Sequence, residues 1–141
     1  MDFTSNVDIE APRERVWEVL SDVARWPEWT ASMQRVRYVA GEHLVPGSRV
    51  QIQQPRMPVL VWDVTEVTPL ESFTWITQSS GLTTQATHQI RERSAGGVTV
   101  TLGIRQSGGM AWLVGLLTGR LIRRYVRMEA DGLKRRCEAR V

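Results

Sequence analysis

The sequence is poor in the residues that usually carry metal, redox or nucleophile chemistry. Its 141 residues include one cysteine, Cys137, and two histidines, His43 and His88. A single cysteine excludes an internal disulfide framework and a cysteine-rich zinc site, and Cys137 reads as a buried thiol. Two histidines at no helical spacing to each other suggest no metal site. There is no Gly-rich phosphate loop, no G-x-S-x-G elbow and no zinc-ligand pattern, so no cofactor and no metal are expected. No run of about 18 apolar residues occurs, so no conventional membrane span is expected. Met1-Asp2-Phe3-Thr4-Ser5 lacks the basic and apolar regions of a signal peptide. The expected address is therefore the cytoplasm, where thiols stay reduced.

Lysine is nearly absent as well: Lys134 is the one lysine among 18 basic side chains. Net charge is +3, and its distribution is uneven. Residues 110–141 hold eight basic side chains against three acidic ones, while the first 109 hold ten against twelve. Nucleic acid is not an expected partner, because the arginines lack interleaved aromatics and the rest of the chain is slightly acidic.

What the chain does have is an ordinary globular composition, 42% hydrophobic and 23% charged, in a length that suits one domain over 1–141. Turn signals at 41–47, 54–58, 79–81, 94–97 and 107–109 separate short runs rich in Val, Thr, Ile and Trp. Val98, Val100, Leu102 and Ile104 alternate strictly and share one strand face; Phe3, Ser5, Val7 and Ile9 do so more weakly. Residues 33–40, 48–54, 59–67, 72–79 and 82–92 read as further strands, and loops this short imply antiparallel pairing. Pro12 suits the first position of a helix, and Glu14 complements its dipole. Val16, Trp17, Leu20 and Val23 then follow a 3.6-residue period. Arg25-Trp26-Pro27-Glu28-Trp29 interrupts that helix and starts a shorter one.

The last segment, 110–139, contains no proline and reads as one helix. On a wheel, Gly115, Gly119, Ile122, Val126, Leu133 and Cys137 form one stripe, flanked by Tyr125 and Leu121 on one side and by Ala130 and Trp112 on the other. Arg120, Arg123, Arg124, Arg127 and Lys134 occupy the opposite face. Two glycines on a core-facing stripe mean either close approach to the sheet or space left for a ligand. Residues 110–117 are apolar all round. Leu113, Leu116 and Leu117 point toward the sector that later carries arginine, so they must be covered by the short tryptophan helix, a second copy of the chain, or lipid. Membrane contact through 110–117 and a homodimer are both open readings.

Several segments together resemble one family. Val7-Asp8-Ile9-Glu10-Ala11-Pro12-Arg13-Glu14-Arg15-Val16-Trp17 is similar to the opening of the polyketide cyclase/dehydrase and lipid-transport superfamily, the START-like or SRPBCC proteins. Asp22-Val23 with Trp26-Pro27-Glu28-Trp29, Gly47-Ser48-Arg49-Val50, Gln54-Pro55, Trp62-Asp63-Val64-Thr65-Glu66-Val67, Phe73-Thr74-Trp75 and Gly132-Leu133-Lys134 continue the resemblance in order along the chain. It implies an α+β helix-grip fold: a seven-stranded antiparallel curved sheet wrapped around the long C-terminal helix, with two short helices after the first strand. It also implies a deep apolar cavity between sheet and helix.

Candidate lining residues are Trp26, Trp29, Val50, Ile52, Trp62, Trp75, His88, Ile90, Trp112, Gly115, Gly119 and Ile122. Aromatic walls suit a flat apolar ligand, and each indole N–H is an available donor. His88 shares a strand face with Ala86 and Ile90. It is a packed core residue, a ligand contact or a general base, and it is the only candidate catalytic residue. Asp63 and Glu66, three apart on one strand, fall on opposite faces and make no acid–base pair. The expected function is binding or transport of a hydrophobic small molecule, lipid or polyketide-like. The alternative is a polyketide cyclase/aromatase or dehydratase in the same cavity. The sequence leaves open whether any reaction is catalysed.

Overall fold

The computed structural model describes residues 2–139. Strand β1 (Asp2–Ile9) leads into α1 (Arg13–Ser21) and a 3-10 segment (Val23–Glu28). Six strands follow: β2 (Arg35–Ala40), β3 (Arg49–Gln53), β4 (Leu60–Thr68), β5 (Ser72–Ser79), β6 (Leu82–Glu92) and β7 (Val98–Ser107). Helix α2 (Ala111–Glu138) closes the described chain. All seven strands form one sheet in the order β1-β7-β6-β5-β4-β3-β2, and every pairing is antiparallel. β1 and β2 are the two edges, so α1 and the 3-10 segment carry the chain from one edge to the other.

The alternation seen in the sequence sets one face of this sheet. Val50 and Ile52, Trp62 and Val64, Phe73 and Trp75, Ala86 with His88 and Ile90, and Val98 with Val100 and Leu102 are all buried on their strands. Register shifts between Tyr38 and Ala40 and between Val64 and Glu66 interrupt the ladder. Such bulges bend a strand and increase its twist, which curves the sheet around the helix.

Local details depart from the sequence reading at three places. The bulge between Val64 and Glu66 sets Asp63, paired with Ile76, and Glu66, paired with Thr74, on one exposed face and not on opposite faces. Pro12 is extended (φ −65°, ψ 152°) and caps α1 instead of occupying its first turn. Met33 and Gln34 precede β2, because the Thr30 and Ser32 hydroxyls bond each other at 2.6 Å and Met33 N–H donates to Thr30 O, turning the chain there.

Helix α2 is tied down along its C-terminal half. Lys134 Nζ donates to Asp8 O at 2.6 Å, Glu10 N–H donates to a Glu138 carboxylate oxygen at 2.7 Å, and Arg136 bonds Glu28 at 2.7 Å. Leu133 is fully buried. Gly132 lies so close to Trp29 that a Cβ built there would run into its carbonyl oxygen. That approach fixes where the helix meets the 3-10 segment. Gly132→Ala would gain about 1 kcal/mol in helix propensity but would force backbone apart. The expected net result is a loss of roughly 1–3 kcal/mol, read as a lower urea midpoint.

Candidate functional site

The sheet's inner face carries a cluster of aromatic rings. Trp26 reaches up from the 3-10 segment with its indole N–H donating to Leu20 O at 3.0 Å. Its ring lies 5.3 Å from Trp75 and 5.4 Å from Trp29. Phe73 stands edge-on to Trp75 at 5.1 Å, and Trp62 continues the wall 5.9 Å beyond Trp75. Tilted and edge-on contacts at these distances are the favourable arrangements for aromatic pairs.

Between this wall and α2 lies a cavity. Its outer part, about 330 Å³, is bounded by Leu60, Trp62, Thr77, Leu82, Thr84 and Ile104 of the sheet and by Met110, Val114, Thr118 and Ile122 of the helix side. Arg56, Met57 and Pro58 of the β3–β4 loop also border it. An inner space of about 60 Å³ is lined by Met33, Ile52, Trp75, His88, Leu102, Tyr125, Val126 and Glu129. Gln54, Met57, Trp62, Ile104 and Ile122 line both parts. The Tyr125 hydroxyl donates to Pro55 O, which clasps the helix to the β3–β4 loop.

Buried polar groups line this setting, Thr77, Thr84 and Gln106 around the outer part and His88, Glu129 and the Trp62 indole around the inner one. His88 is stacked on Phe73, 3.9 Å between centroids and 9° between planes. Its Nδ1 lies 3.1 Å from Phe73 O. A carbonyl only accepts, so Nδ1 carries the proton and Nε2 keeps its lone pair. Burial lowers the His88 pKa to about 3, only partly offset by that hydrogen bond, so the ring is neutral. Glu129 is 7% exposed, and burial raises its pKa to about 8. Trp62 is also 7% exposed, and its indole Nε1 has no hydrogen-bond partner among the described residues.

The sequence profile described as polyketide cyclase / dehydrase and lipid transport matches residues 1–138. The chain belongs to this family. A solved structure from Thermus thermophilus is 17% identical, with a TM-score of 0.76 and coverage of 97% of each chain. A START superfamily protein from Mycobacterium smegmatis is 14% identical, with a TM-score of 0.75 and the same coverage. The di-domain ARO/CYC protein BexL of the BE-7585A biosynthetic pathway is 17% identical with a TM-score of 0.76; it covers all of this chain, which spans 51% of BexL. At these identities the likeness shows the fold, here the START-like helix-grip. No curated protein matches the sequence.

The expected lining residues of this family member divide into groups. Ile52, Trp62, Trp75, His88 and Ile122 border the cavity. Trp26, Trp29, Val50 and Ile90 are buried in the core beside it without bordering it. Gly119 is buried and Gly115 half-buried, and neither borders the cavity. Trp112 was placed near the core stripe by the wheel, yet it is 71% exposed. The cavity-facing line of the first turns is Met110, Val114, Thr118 and Ile122, and Trp112 lies on the far side of it. Leu116 and Leu117 are 76% and 74% exposed, so burial within the same chain, one of the readings for 110–117, does not hold for them. Among the described residues, no group of three or more His, Cys, Asp or Glu could hold a metal.

Glu129 escaped the sequence reading, although its position was visible. It follows Tyr125 by four residues, Ile122 by seven, and precedes Leu133 by four, which places a carboxyl group on the buried side of α2. Its raised pKa gives a pH signature. The unfolded chain releases this proton near 4.5 and the folded one near 8, so the stabilisation is complete below 4.5 and is lost as pH rises through 8. His88 acts oppositely: its contribution is complete above 6.5 and is lost as pH falls toward 3. The two slopes offset each other between 4.5 and 6.5. From 6.5 to 8 the wild type should lose stability at up to about 1.4 kcal/mol per pH unit through Glu129. Glu129→Gln should abolish that decline, as the difference between the two proteins' unfolding free energies across pH 5–9 would show.

Proposed function

We propose that this protein binds and carries an apolar small molecule in the cavity between its sheet and α2. The observation that carries this reading is the cavity itself: a space of about 330 Å³, walled by Trp62, Leu60, Leu82, Ile104, Val114 and Ile122, inside a family whose description includes lipid transport. Walls of this kind bury most of a ligand's surface. His88, the one catalytic candidate read from the sequence, does not support cyclisation by general-base catalysis. A conjugate acid with a pKa near 3 makes a weak proton acceptor at neutral pH, far from the match that general-base catalysis requires. The fluorescent probe N-phenyl-1-naphthylamine should brighten on binding the wild type. Val114→Trp, which fills the outer cavity from a half-buried position, should weaken that binding at least tenfold. Equal brightening in the variant would place the probe elsewhere and sink the reading.

The exterior of the same helix suggests where the ligand is exchanged. Trp112, Leu116 and Leu117 are exposed on the first turns of α2, and Arg120, Arg123, Arg124 and Arg127 follow on the same broad sector. None of these arginines forms an ion pair among the described residues; Arg123 and Arg127 lie over the Phe3 ring, at 5.8 and 5.5 Å. Facing copies of this surface would oppose arginine to arginine, whereas an anionic bilayer accepts both the apolar turn and the charge. We therefore assign this face to an anionic membrane. Vesicles containing phosphatidylglycerol should co-sediment the wild type, and Leu116→Ser/Leu117→Ser should abolish this. No sedimentation at low salt, or a dimer disrupted by the same pair of changes, overturns the assignment.

A further inference from the structure

We propose that the inner end of the cavity is an oxygen-binding subsite, in which a carbonyl or hydroxyl oxygen of an uncharged, otherwise apolar ligand is held by the Glu129 carboxylic acid and the Trp62 indole N–H. The proposal rests on the reading of the cavity as a ligand site and adds the chemistry of what enters first.

Two independent observations converge here. Glu129 projects from α2 into the inner space, is 7% exposed, and forms no hydrogen bond or ion pair with any described residue. Trp62, on the facing β4, borders the same space, and its buried Nε1 donor is also without a partner. A fully buried donor left unsatisfied, such as the Trp62 indole N–H, costs about 1–3 kcal/mol, and folded proteins rarely keep one without a use. Glu129 and Trp62 present two donors from opposite walls, beside His88 Nε2 and the Gln54 side-chain amide, and an oxygen that accepts satisfies both donors.

Charge decides between ligand classes. His88 from β6, Tyr125 from α2 and Glu129 are the titratable groups that line the inner space; no Arg, Lys or Asp does. An anionic head group would find no cation there. A cationic one would have to ionise Glu129, which burial alone holds protonated up to about pH 8. A neutral oxygen needs neither change. The Tyr125 hydroxyl is already engaged with Pro55 O and does not compete.

A matched pair of probes tests this: 2-acetylnaphthalene and 2-isopropenylnaphthalene, alike in shape but carrying C=O in one and C=CH₂ in the other. Their dissociation constants are measured by quenching of tryptophan fluorescence at pH 6.5 and 9.5. In the wild type the preference for the ketone should fall about tenfold between the two pH values, as the Glu129 donor is lost. Glu129→Gln keeps an N–H donor and should hold its preference constant across pH. Glu129→Leu and Trp62→Phe should each lower the preference about tenfold at pH 6.5. Both probes binding with a preference indifferent to pH and to these variants overturns the subsite but leaves the cavity reading intact. Tighter binding of 1-(2-naphthyl)ethylamine than of the ketone overturns it in favour of a cation site. If neither neutral probe binds, the cavity reading falls and the subsite with it.

Discussion

The contact between Gly132 and the Trp29 carbonyl is the constraint on which the rest of the architecture hangs. It brings the backbone of α2 against the 3-10 segment at closest approach, while Lys134, Arg136 and Glu138 fasten the same end to β1 and to Glu28. A straight helix seated at one end on a curved sheet must rise from it at the other. The rise explains why Leu133 and Cys137 are core residues, why Ile122 faces a void, and why Leu116 and Leu117 reach solvent. The cavity is thus what remains when one end of a helix is packed to contact and the other is held off by the strands beneath it.

The aromatic wall depends on the same arrangement. Trp26 lies in the six-residue 3-10 segment and Trp29 directly follows it, against Gly132 of α2. Trp26 touches Phe73, Trp75 and His88 at once, with centroids 6.2, 5.3 and 5.6 Å away. These rings pack around His88, and the burial they impose keeps the imidazole neutral. Glu129 experiences similar burial from the helix side. The site's electrostatics therefore follow from packing, with little contribution from neighbouring charges.

Much of this was legible in the sequence. Strict alternation over Val98–Ile104, turn residues at regular intervals and a proline-free C-terminal stretch correspond to β7, to the hairpin loops and to α2, because period and punctuation are local properties of the chain. The ordered motifs from Val7 to Lys134 pointed to the family. The wheel failed at Trp112, since the first turns of α2 face the cavity along Met110, Val114, Thr118 and Ile122, which leaves Trp112 on the outer side. Gln54, Met57 and Pro55 could not be anticipated as cavity walls or clasps, because loop residues reach their partners only through the tertiary path of the chain. Glu129 is the instructive omission: a lone acid at the spacing of the buried stripe is a readable signal, and it was hidden by the habit of sorting charged residues onto the wet face.

The tryptophans also divide by surroundings in a way that makes the molecule its own reporter. Trp26, Trp29, Trp62 and Trp75 are buried in one chain of neighbouring rings, whereas Trp112 stands in water at the helix rim. Excitation within the buried set can hop from ring to ring and emerge from a dry environment, at the blue edge of the emission band. Trp112 emits from a polar one, at the red edge, and is open to dissolved quenchers such as iodide. Occupancy of the interior and contact at the rim thus modulate different parts of a single spectrum, with no label attached.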